Sequence, residues 1–181
     1  ESLVDIHRLS VTLKNILDLA WLGADNATIT GEIFNLSAEV TELRDMITKI
    51  AIAKKIKING VIADDIFVSG KKDKINRALL NILDNAIKYT PEKGTITLSL
   101  KKKNSQVLIE ISDTGSGIAK EDLPHIFERF YRGGKTGKTF GSGLGLAIAQ
   151  AAITSHHGEI KVTSKLGHGT TFTIILPLTV S

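Results

Sequence analysis

The apolar residues of this chain recur with two different periods, and these periods predict where helices and strands lie. Spacings of three and four residues place apolar side chains on one face of a helix, whereas strict alternation places them on one face of a strand. The helical spacing occurs in four segments. Three of them are residues 3–21, 73–89 and 141–157, and the fourth begins at a cap formed by Asn35 or Ser37 and ends near Lys54.

Alternation is clearest in two pairs of segments, and each pair is predicted to form a hairpin. Residues 94–103 and 106–112 flank Asn104 and Ser105, while residues 159–164 and 170–178 flank Gly167 and Gly169. Shorter strand candidates are residues 32–36, 56–61 and 66–68. This order predicts an α+β fold, a two-layer α/β sandwich in which three helices cover a mixed, mostly antiparallel sheet of about five strands, preceded by an N-terminal helix.

The length of 181 residues allows one domain of ordinary size together with an appendage. The first helical stripe is narrow, and it ends at residues 23–26 before the segments that can build a core. We therefore expect a helical segment at residues 1–24, a linker at residues 25–31 and a globular domain at residues 32–181.

The composition favours a soluble protein and argues against several classes of site. Apolar residues make up 42% and charged residues 23%, and no apolar run approaches the roughly 18 residues that span a bilayer. With no cysteine there is neither a disulfide nor a thiolate metal site. The net charge is +4, but the lysine runs, such as residues 101–103, contain no interleaved aromatic residue, so we discount nucleic acid as a partner.

The helix predicted at residues 73–89 carries polar side chains along one stripe. Asn81, Asn85 and Lys88 fall within about 60° of one another at 100° per residue. They point away from the apolar face that contains Leu79 and Leu83. Amide oxygens are hard ligands that suit Mg²⁺, which takes its other ligands from water and nucleotide phosphates.

An acidic residue followed by glycines ends the strand at residues 106–112. Asp113 would be fixed by the strand, while Gly115 and Gly117 leave room for a ligand to approach the backbone. A carboxylate only accepts hydrogen bonds, so it suits the amino group of adenine and not the carbonyl of guanine. Taken alone, this motif is also that of an ordinary loop.

A second glycine motif opens the helix predicted at residues 141–157. It contains Gly141, Ser142, Gly143, Leu144, Gly145 and Leu146. Backbone N–H groups at a helix N-terminus bind phosphate oxygens. The glycine-rich segment before it carries Arg132, Lys135 and Lys138, which are candidate phosphate contacts, although a solvated loop explains them almost as well. Phe127 and Phe130 are expected to anchor this segment in the core.

These motifs, in this order and spacing, resemble the asparagine, first glycine, phenylalanine and second glycine boxes of the histidine-kinase ATP-binding domain. The domain shares a superfamily with gyrase, heat-shock chaperone and mismatch-repair ATPases, and the resemblance covers about residues 33–178. It implies ATP and Mg²⁺ as cofactors, with Asn85 as the main metal ligand, Asn81 as a second or water-mediated ligand, and Lys88 on a phosphate. It also implies contacts to the nucleotide from Asp113, Gly115, Gly117 and Ile118 and from the second glycine motif. Tyr89 would lie near the nucleotide or, equally, in the core.

The resemblance further implies a function, the catalytic domain of a two-component sensor histidine kinase. Superfamily members that hydrolyse ATP typically carry a glutamate at the position of Asn81, and an amide cannot act as a general base. In the family the acceptor is a histidine on a dimerising hairpin, but none of the five histidines here lies in that motif. Residues 1–24 resemble the end of the second hairpin helix.

The implied partners are that hairpin, a response regulator and, in the whole protein, a second copy of the same chain. We expect this domain to be cytoplasmic, and many relatives are anchored in the inner (cell) membrane. Two alternatives remain open at this stage. One is a serine kinase or ATPase of the same superfamily, and the other is a nucleotide-sensing or partner-binding module without catalysis.

Overall fold

The computed structural model describes residues 31–133 and 142–179, and in addition Leu17 and Ala20, which are both helical. The rest of the predicted N-terminal helix, almost all of the predicted linker, and Lys135, Lys138 and Gly141 lie outside the described residues. Three helices are described: α1 (Leu36–Ala53), α2 (Lys72–Tyr89) and α3 (Gly145–Ser155). The strands are β1 (Glu32–Asn35), β2 (Lys57–Asn59), β3 (Phe67–Gly70), β4 (Thr95–Lys103), β5 (Gln106–Asp113), β6 (Glu159–Lys165) and β7 (Gly169–Pro177).

Five of these strands form one mixed sheet in the order β2-β4-β5-β7-β6. Strand β2 pairs with β4 in parallel, and the other neighbours are antiparallel. The inward positions of β4, β5 and β7 alternate with half-buried or exposed ones, and the three helices pack on this inward face. The predicted two-layer α+β sandwich with a mostly antiparallel five-stranded sheet is therefore confirmed.

Local sequence explains where the helices begin and end. Asn35 caps α1, because its side-chain oxygen accepts a hydrogen bond of 3.1 Å from the backbone N–H of Ala38. At the end of α2 the ammonium of Lys54 donates to the carbonyl of Ile87 at 2.8 Å. Along α2 the predicted apolar face is buried and consists of Ile75, Leu79, Ile82, Leu83 and Ala86.

Two element predictions need correction, and one strand pairing was not predicted. The candidate strand at residues 56–61 shortens to β2, because Gly60 has a φ of +133° and leaves the ladder. Strands β1 and β3 pair with each other in a separate two-stranded sheet. The last helix begins at Gly145 instead of residue 141, since Gly143 has a φ of +71°, which no helix accommodates.

Within the described part of the chain, none of the helices combines the length and the apolar character that crossing a membrane requires.

Candidate functional site

The polar stripe predicted on α2 is present and faces away from the core. Asn81, Asn85 and Lys88 are each half-buried, whereas Leu79 and Leu83 are fully buried. The side-chain nitrogen of Asn81 is buried and has no hydrogen-bond partner among the described residues. An amide nitrogen left in this way favours a bound acceptor, because an unpaired buried donor costs free energy. The stripe therefore fits a ligand that carries oxygen atoms.

The start of α3 lies against Asn81. A β-carbon built on Gly145 would lie 3.7 Å from both Cγ and Oδ1 of Asn81. No side chain of the described residues caps α3, since the Ser142 hydroxyl accepts at 3.3 Å from the N–H of Leu144 and reaches no residue of the helix itself. The first turn of α3 thus has no capping side chain among the described residues, and its first residue lies next to Asn81 of the polar stripe. This arrangement fits phosphate oxygens.

The two described glycines of this motif are needed for different reasons. A β-carbon on Gly143 would lie 2.7 Å from the carbonyl carbon of Phe130, and the Gly143 carbonyl accepts from the Phe130 N–H at 3.0 Å. Gly143 is therefore required by the packing of the protein's own backbone. At Gly145 a β-carbon would make only ordinary contacts with Asn81, so protein packing alone does not require glycine there. The space that this glycine leaves open lies between α3 and the polar stripe.

Asp113 is the last residue of β5, and its side chain is only 9% exposed. Its Oδ1 atom accepts a hydrogen bond of 2.8 Å from the N–H of Gly115. Burial raises the pKa of the Asp113 carboxyl above its usual range, and backbone hydrogen bonds from Gly115 and Thr170 partly oppose this shift. A buried acceptor whose described hydrogen bonds come from backbone N–H groups suits a neutral donor, such as an amino group on a purine.

The glycines after Asp113 are needed because other backbone segments of the protein pack closely against them. A β-carbon on Gly115 would lie 2.7 Å from the carbonyl oxygen of Tyr89, and one on Gly117, where φ is +67°, would collide with the carbonyl of Lys165. We expected these glycines to leave room for a nucleotide, and the structure gives a different reason. Ile118 follows with its N–H bound to the hydroxyl of Ser164 at 2.8 Å.

Two site residues were missed by the sequence analysis. Asp113 pairs with Thr170 across β5 and β7, and Thr170 pairs with Ser164 across β7 and β6. The three side chains therefore share the inward face of the sheet in one row. Each stands at an inward position of its strand, where the other inward residues are apolar, for example Val107, Ile109 and Ile111 before Asp113. Polar residues at inward positions, at the same end of three strands, were the sequence signal that could have found Ser164 and Thr170.

Lys88 and Tyr89 lie at the edge of the site. The Tyr89 ring is 39% exposed, so it is not a core aromatic, and the Lys88 ammonium lies 4.9 Å from its centroid. Both residues line an open depression of about 560 Å³ that also involves Gly115 and Ser116. This position leaves the ring accessible to a ligand near the loop that follows Asp113.

The phenylalanine motif divides into one anchor and one exposed ring. Phe127 packs edge-on against Phe172 with centroids 6.4 Å apart, as predicted, but Phe130 is 57% exposed and its expected role as an anchor is wrong. The hydroxyl of Tyr131 instead donates to Asp122 at 2.7 Å. Arg132 is exposed beside this contact.

No group of three or more His, Cys, Asp or Glu side chains that could hold a metal occurs among the described residues. The amide oxygens of Asn81 and Asn85 are the candidates for Mg²⁺ in the chemistry of this site, with the remaining ligands supplied by phosphate and water.

Comparison with known proteins gives a consistent assignment. Residues 70–180 match the family model described as histidine kinase-, DNA gyrase B- and HSP90-like ATPase. The sensor histidine kinase RppB of Synechocystis sp. is 35% identical over 175 residues, which are 95% of this chain and 38% of that protein. The chain thus spans well under half the length of that curated relative.

Solved structures agree with the assignment. The structure of full-length ShkA in complex with AMPPNP superposes with a TM-score of 0.82 at 27% identity, covering 97% of this chain and 36% of that one. The mycobacterial sensor histidine kinase MprB superposes with a TM-score of 0.71 at 27% identity, covering 83% of this chain and 99% of that one. The family match takes in the polar stripe of α2, Asp113 and the start of α3 alike. The chain therefore belongs to the histidine kinase-, DNA gyrase B- and HSP90-like ATPase family and carries an ATP-binding domain of the sensor histidine kinase type.

Proposed function

We propose that this chain binds ATP with Mg²⁺ and transfers the γ-phosphoryl group to a histidine on a dimerising helical hairpin, from which it passes to an aspartate of a response regulator. The observation that carries this proposal is the junction of α2 and α3. There Asn81, whose amide nitrogen has no partner among the described residues, lies next to the first residue of α3, and its Oδ1 atom would be 3.7 Å from a β-carbon on Gly145. The first turn of α3 has no capping side chain in the described part of the chain.

Each side chain at this junction has a role that follows from its chemistry. Asn85 and Asn81 would hold Mg²⁺ through their amide oxygens, and the ion supplies charge neutralisation at the phosphates when bound. Lys88 would bind a phosphate oxygen, and the N–H groups of Gly145 and Leu146 would bind others. Asp113 would accept a hydrogen bond from the adenine amino group, while Tyr89 and Ile118 would flank the nucleotide. Arg132, Lys138 and Gly141 remain proposed phosphate contacts.

Transfer to a protein group fits this site better than transfer to water. Asn81 holds the position at which hydrolases of the superfamily place glutamate, and an amide cannot take a proton from water near neutral pH. Catalysis would then depend on positioning and charge neutralisation, as in other phosphoryl transfers.

The proposal extends to the rest of the protein. Residues 1–24 would be the C-terminal part of the second hairpin helix, residues 25–31 a linker, and residues 32–181 the catalytic domain. The whole protein would act as a homodimer, with this domain in the cytoplasm and an anchor in the inner membrane, as sensor kinases often have. Without the acceptor hairpin, this chain would bind nucleotide and not phosphorylate itself.

The test is a transfer assay with radiolabelled ATP and Mg²⁺ and a separately purified hairpin that carries its histidine. We expect acid-labile, alkali-stable label on the hairpin with the wild-type chain and none with Asn85→Ala. Asp84→Ala is the matched control, since Asp84 is the exposed neighbour of Asn85 on the same helix. Nucleotide binding without transfer to any cognate hairpin would refute the kinase and leave a nucleotide-sensing module. Steady phosphate release into water would instead favour an ATPase.

A further inference from the structure

The polar row at the end of the sheet contains a hydroxyl that bonds in three directions. The Ser164 oxygen accepts from the N–H of Ile118 at 2.8 Å and donates to the carbonyl of Gly169 at 2.9 Å. It also lies 2.9 Å from the hydroxyl oxygen of Thr170. Ser164 therefore connects the loop that follows Asp113 with the start of β7.

The directions of these hydrogen bonds can be worked out by counting protons. A serine hydroxyl has one hydrogen and two lone pairs. The carbonyl of Gly169 can only accept, so it takes the hydrogen, and the N–H of Ile118 can only donate, so it takes one lone pair. The second lone pair is left for Thr170, which must then donate its own hydrogen to Ser164.

This assignment determines what Thr170 can offer to a ligand. Thr170 is 7% exposed, and its hydroxyl has no side-chain partner other than Ser164 among the described residues. With its hydrogen committed, only its lone pairs remain. Thr170 is the direct cross-strand partner of Asp113, and such pairs lie about 5 Å apart. Two hydrogen-bond acceptors therefore stand side by side at the end of the inward face.

We propose that Ser164 is a positioning residue that sets nucleobase specificity by holding the Thr170 hydroxyl as an acceptor beside Asp113. An exocyclic amino group has two N–H donors and can donate to both acceptors. A carbonyl at the same place would meet two hydrogen-bond acceptors and no donor, so it is rejected. Ser164 acts through Thr170 and through the N–H of Ile118, without touching the base. This inference rests on the proposed nucleotide site.

The test compares the affinities of AMPPNP and GMPPNP by calorimetry, with Mg²⁺, for the wild-type chain and three single variants. In Ser164→Ala the Thr170 hydroxyl becomes free to rotate and donate to a carbonyl. We expect the preference for AMPPNP over GMPPNP to fall roughly three- to tenfold, the change associated with one hydrogen bond. Thr170→Val should lower the preference similarly, because it removes the second acceptor.

Ser112→Ala is the matched control. Ser112 and Thr171 form a hydroxyl pair of 2.8 Å on the same two strands, but their phase places them on the opposite face of the sheet. We expect this variant to keep the wild-type preference. The double variant Ser164→Ala/Thr170→Val should show no further loss beyond Thr170→Val alone, because Ser164 acts through the threonine.

The possible results separate this inference from the proposed function. Equal preferences in Ser164→Ala and Ser112→Ala, with nucleotide still bound, would overturn the role of Ser164 only. Additive losses in the double variant would overturn it as well, since a general structural effect of Ser164 would not depend on Thr170. If Ser164→Ala does not fold, an unchanged preference in Thr170→Val refutes the inference. A folded wild-type chain that binds neither nucleotide would overturn both proposals.

Discussion

Gly145 offers the sharpest test of the junction between α2 and α3, because replacing it with alanine should separate stability from binding. A β-carbon at this position would lie 3.7 Å from the Asn81 amide, and no other element among the described residues comes closer. Alanine is the better helix former and Gly145 is the first residue of α3, so we expect Gly145→Ala to stabilise the fold by about 0.5 kcal/mol. For a chain of this size the midpoint of thermal unfolding should rise by about 1 to 2 °C.

Nucleotide affinity should change in the opposite direction. The added methyl group would occupy space between the first turn of α3 and Asn81, where phosphate oxygens are proposed to bind. Losing one charge-assisted hydrogen bond costs about 1.5 to 3 kcal/mol, which corresponds to a loss of affinity of roughly tenfold or more. Calorimetric titration with AMPPNP and Mg²⁺ measures this loss, and thermal denaturation without nucleotide measures the stability.

Gly143→Ala is the matched control two residues away. Gly143 has a φ of +71°, and a β-carbon there would lie 2.7 Å from the backbone of Phe130. The left-handed conformation alone costs a residue with a side chain about 1 to 2 kcal/mol, so this variant should be clearly destabilised. If Gly145→Ala binds AMPPNP as tightly as the wild-type chain, or if it unfolds as readily as Gly143→Ala, the assignment of this space to phosphate is wrong.

Two further predictions concern stability. The His156 ring is 5% exposed and accepts from the Lys71 N–H at 2.9 Å. Burial lowers its pKa, the hydrogen bond to the Ala152 carbonyl opposes this shift, and the nearby charges of Lys74, His157 and Lys71 add to it. The unfolded chain therefore binds the proton first, and stability should fall as pH drops below about 6.5. Urea unfolding at pH 7.5 and 5.5 should therefore show that His156→Gln loses less unfolding free energy between the two pH values than the wild-type chain does. His168→Gln, whose ring is exposed, should lose as much as the wild-type chain, and equal losses in all three would show that His156 does not cause the pH dependence. Lys54→Met removes the hydrogen bond to the Ile87 carbonyl at the end of α2 and should lower the free energy of unfolding by about 1 kcal/mol. Lys55→Met, which breaks only an exposed ion pair with Glu92, should cost less than about 0.5 kcal/mol, and the reverse order would show that this bond does not hold the helix end.

Helix α2 and the two long hairpins could be predicted because their patterns run for many residues. Eighteen residues of α2 keep one apolar face, and β4 and β5 alternate without a break along most of their length. Over such lengths the burial of one face determines whether the segment is a helix or a strand, and a single residue does not change that outcome. The polar stripe of Asn81, Asn85 and Lys88 follows from the same geometry, which is why sequence reasoning located it.

The start of α3 and the place of Phe130 could not be predicted in the same way. Both depend on one long-range contact, in which the Phe130 N–H donates to the Gly143 carbonyl. This contact holds Gly143 in a left-handed conformation, so the helix begins two residues later, and Phe130 itself has a φ of +64°. Apolar character suggests burial, but backbone conformation leaves the Phe130 ring exposed while Phe127 packs on the core.

The missed residues Ser164 and Thr170 show a more general point about this fold. Burying a polar side chain costs free energy unless a hydrogen bond compensates it. Inward-facing positions that change from apolar to polar residues at one end of a sheet therefore require an explanation. Ser164 and Thr170 satisfy each other, whereas Asp113 is buried far enough for its pKa to rise and the Asn81 nitrogen has no partner among the described residues. These last two groups come from opposite layers of the sandwich, one from β5 and one from α2. A ligand with an amino group at one end and anionic oxygens at the other would compensate both, and an adenine nucleotide has this combination.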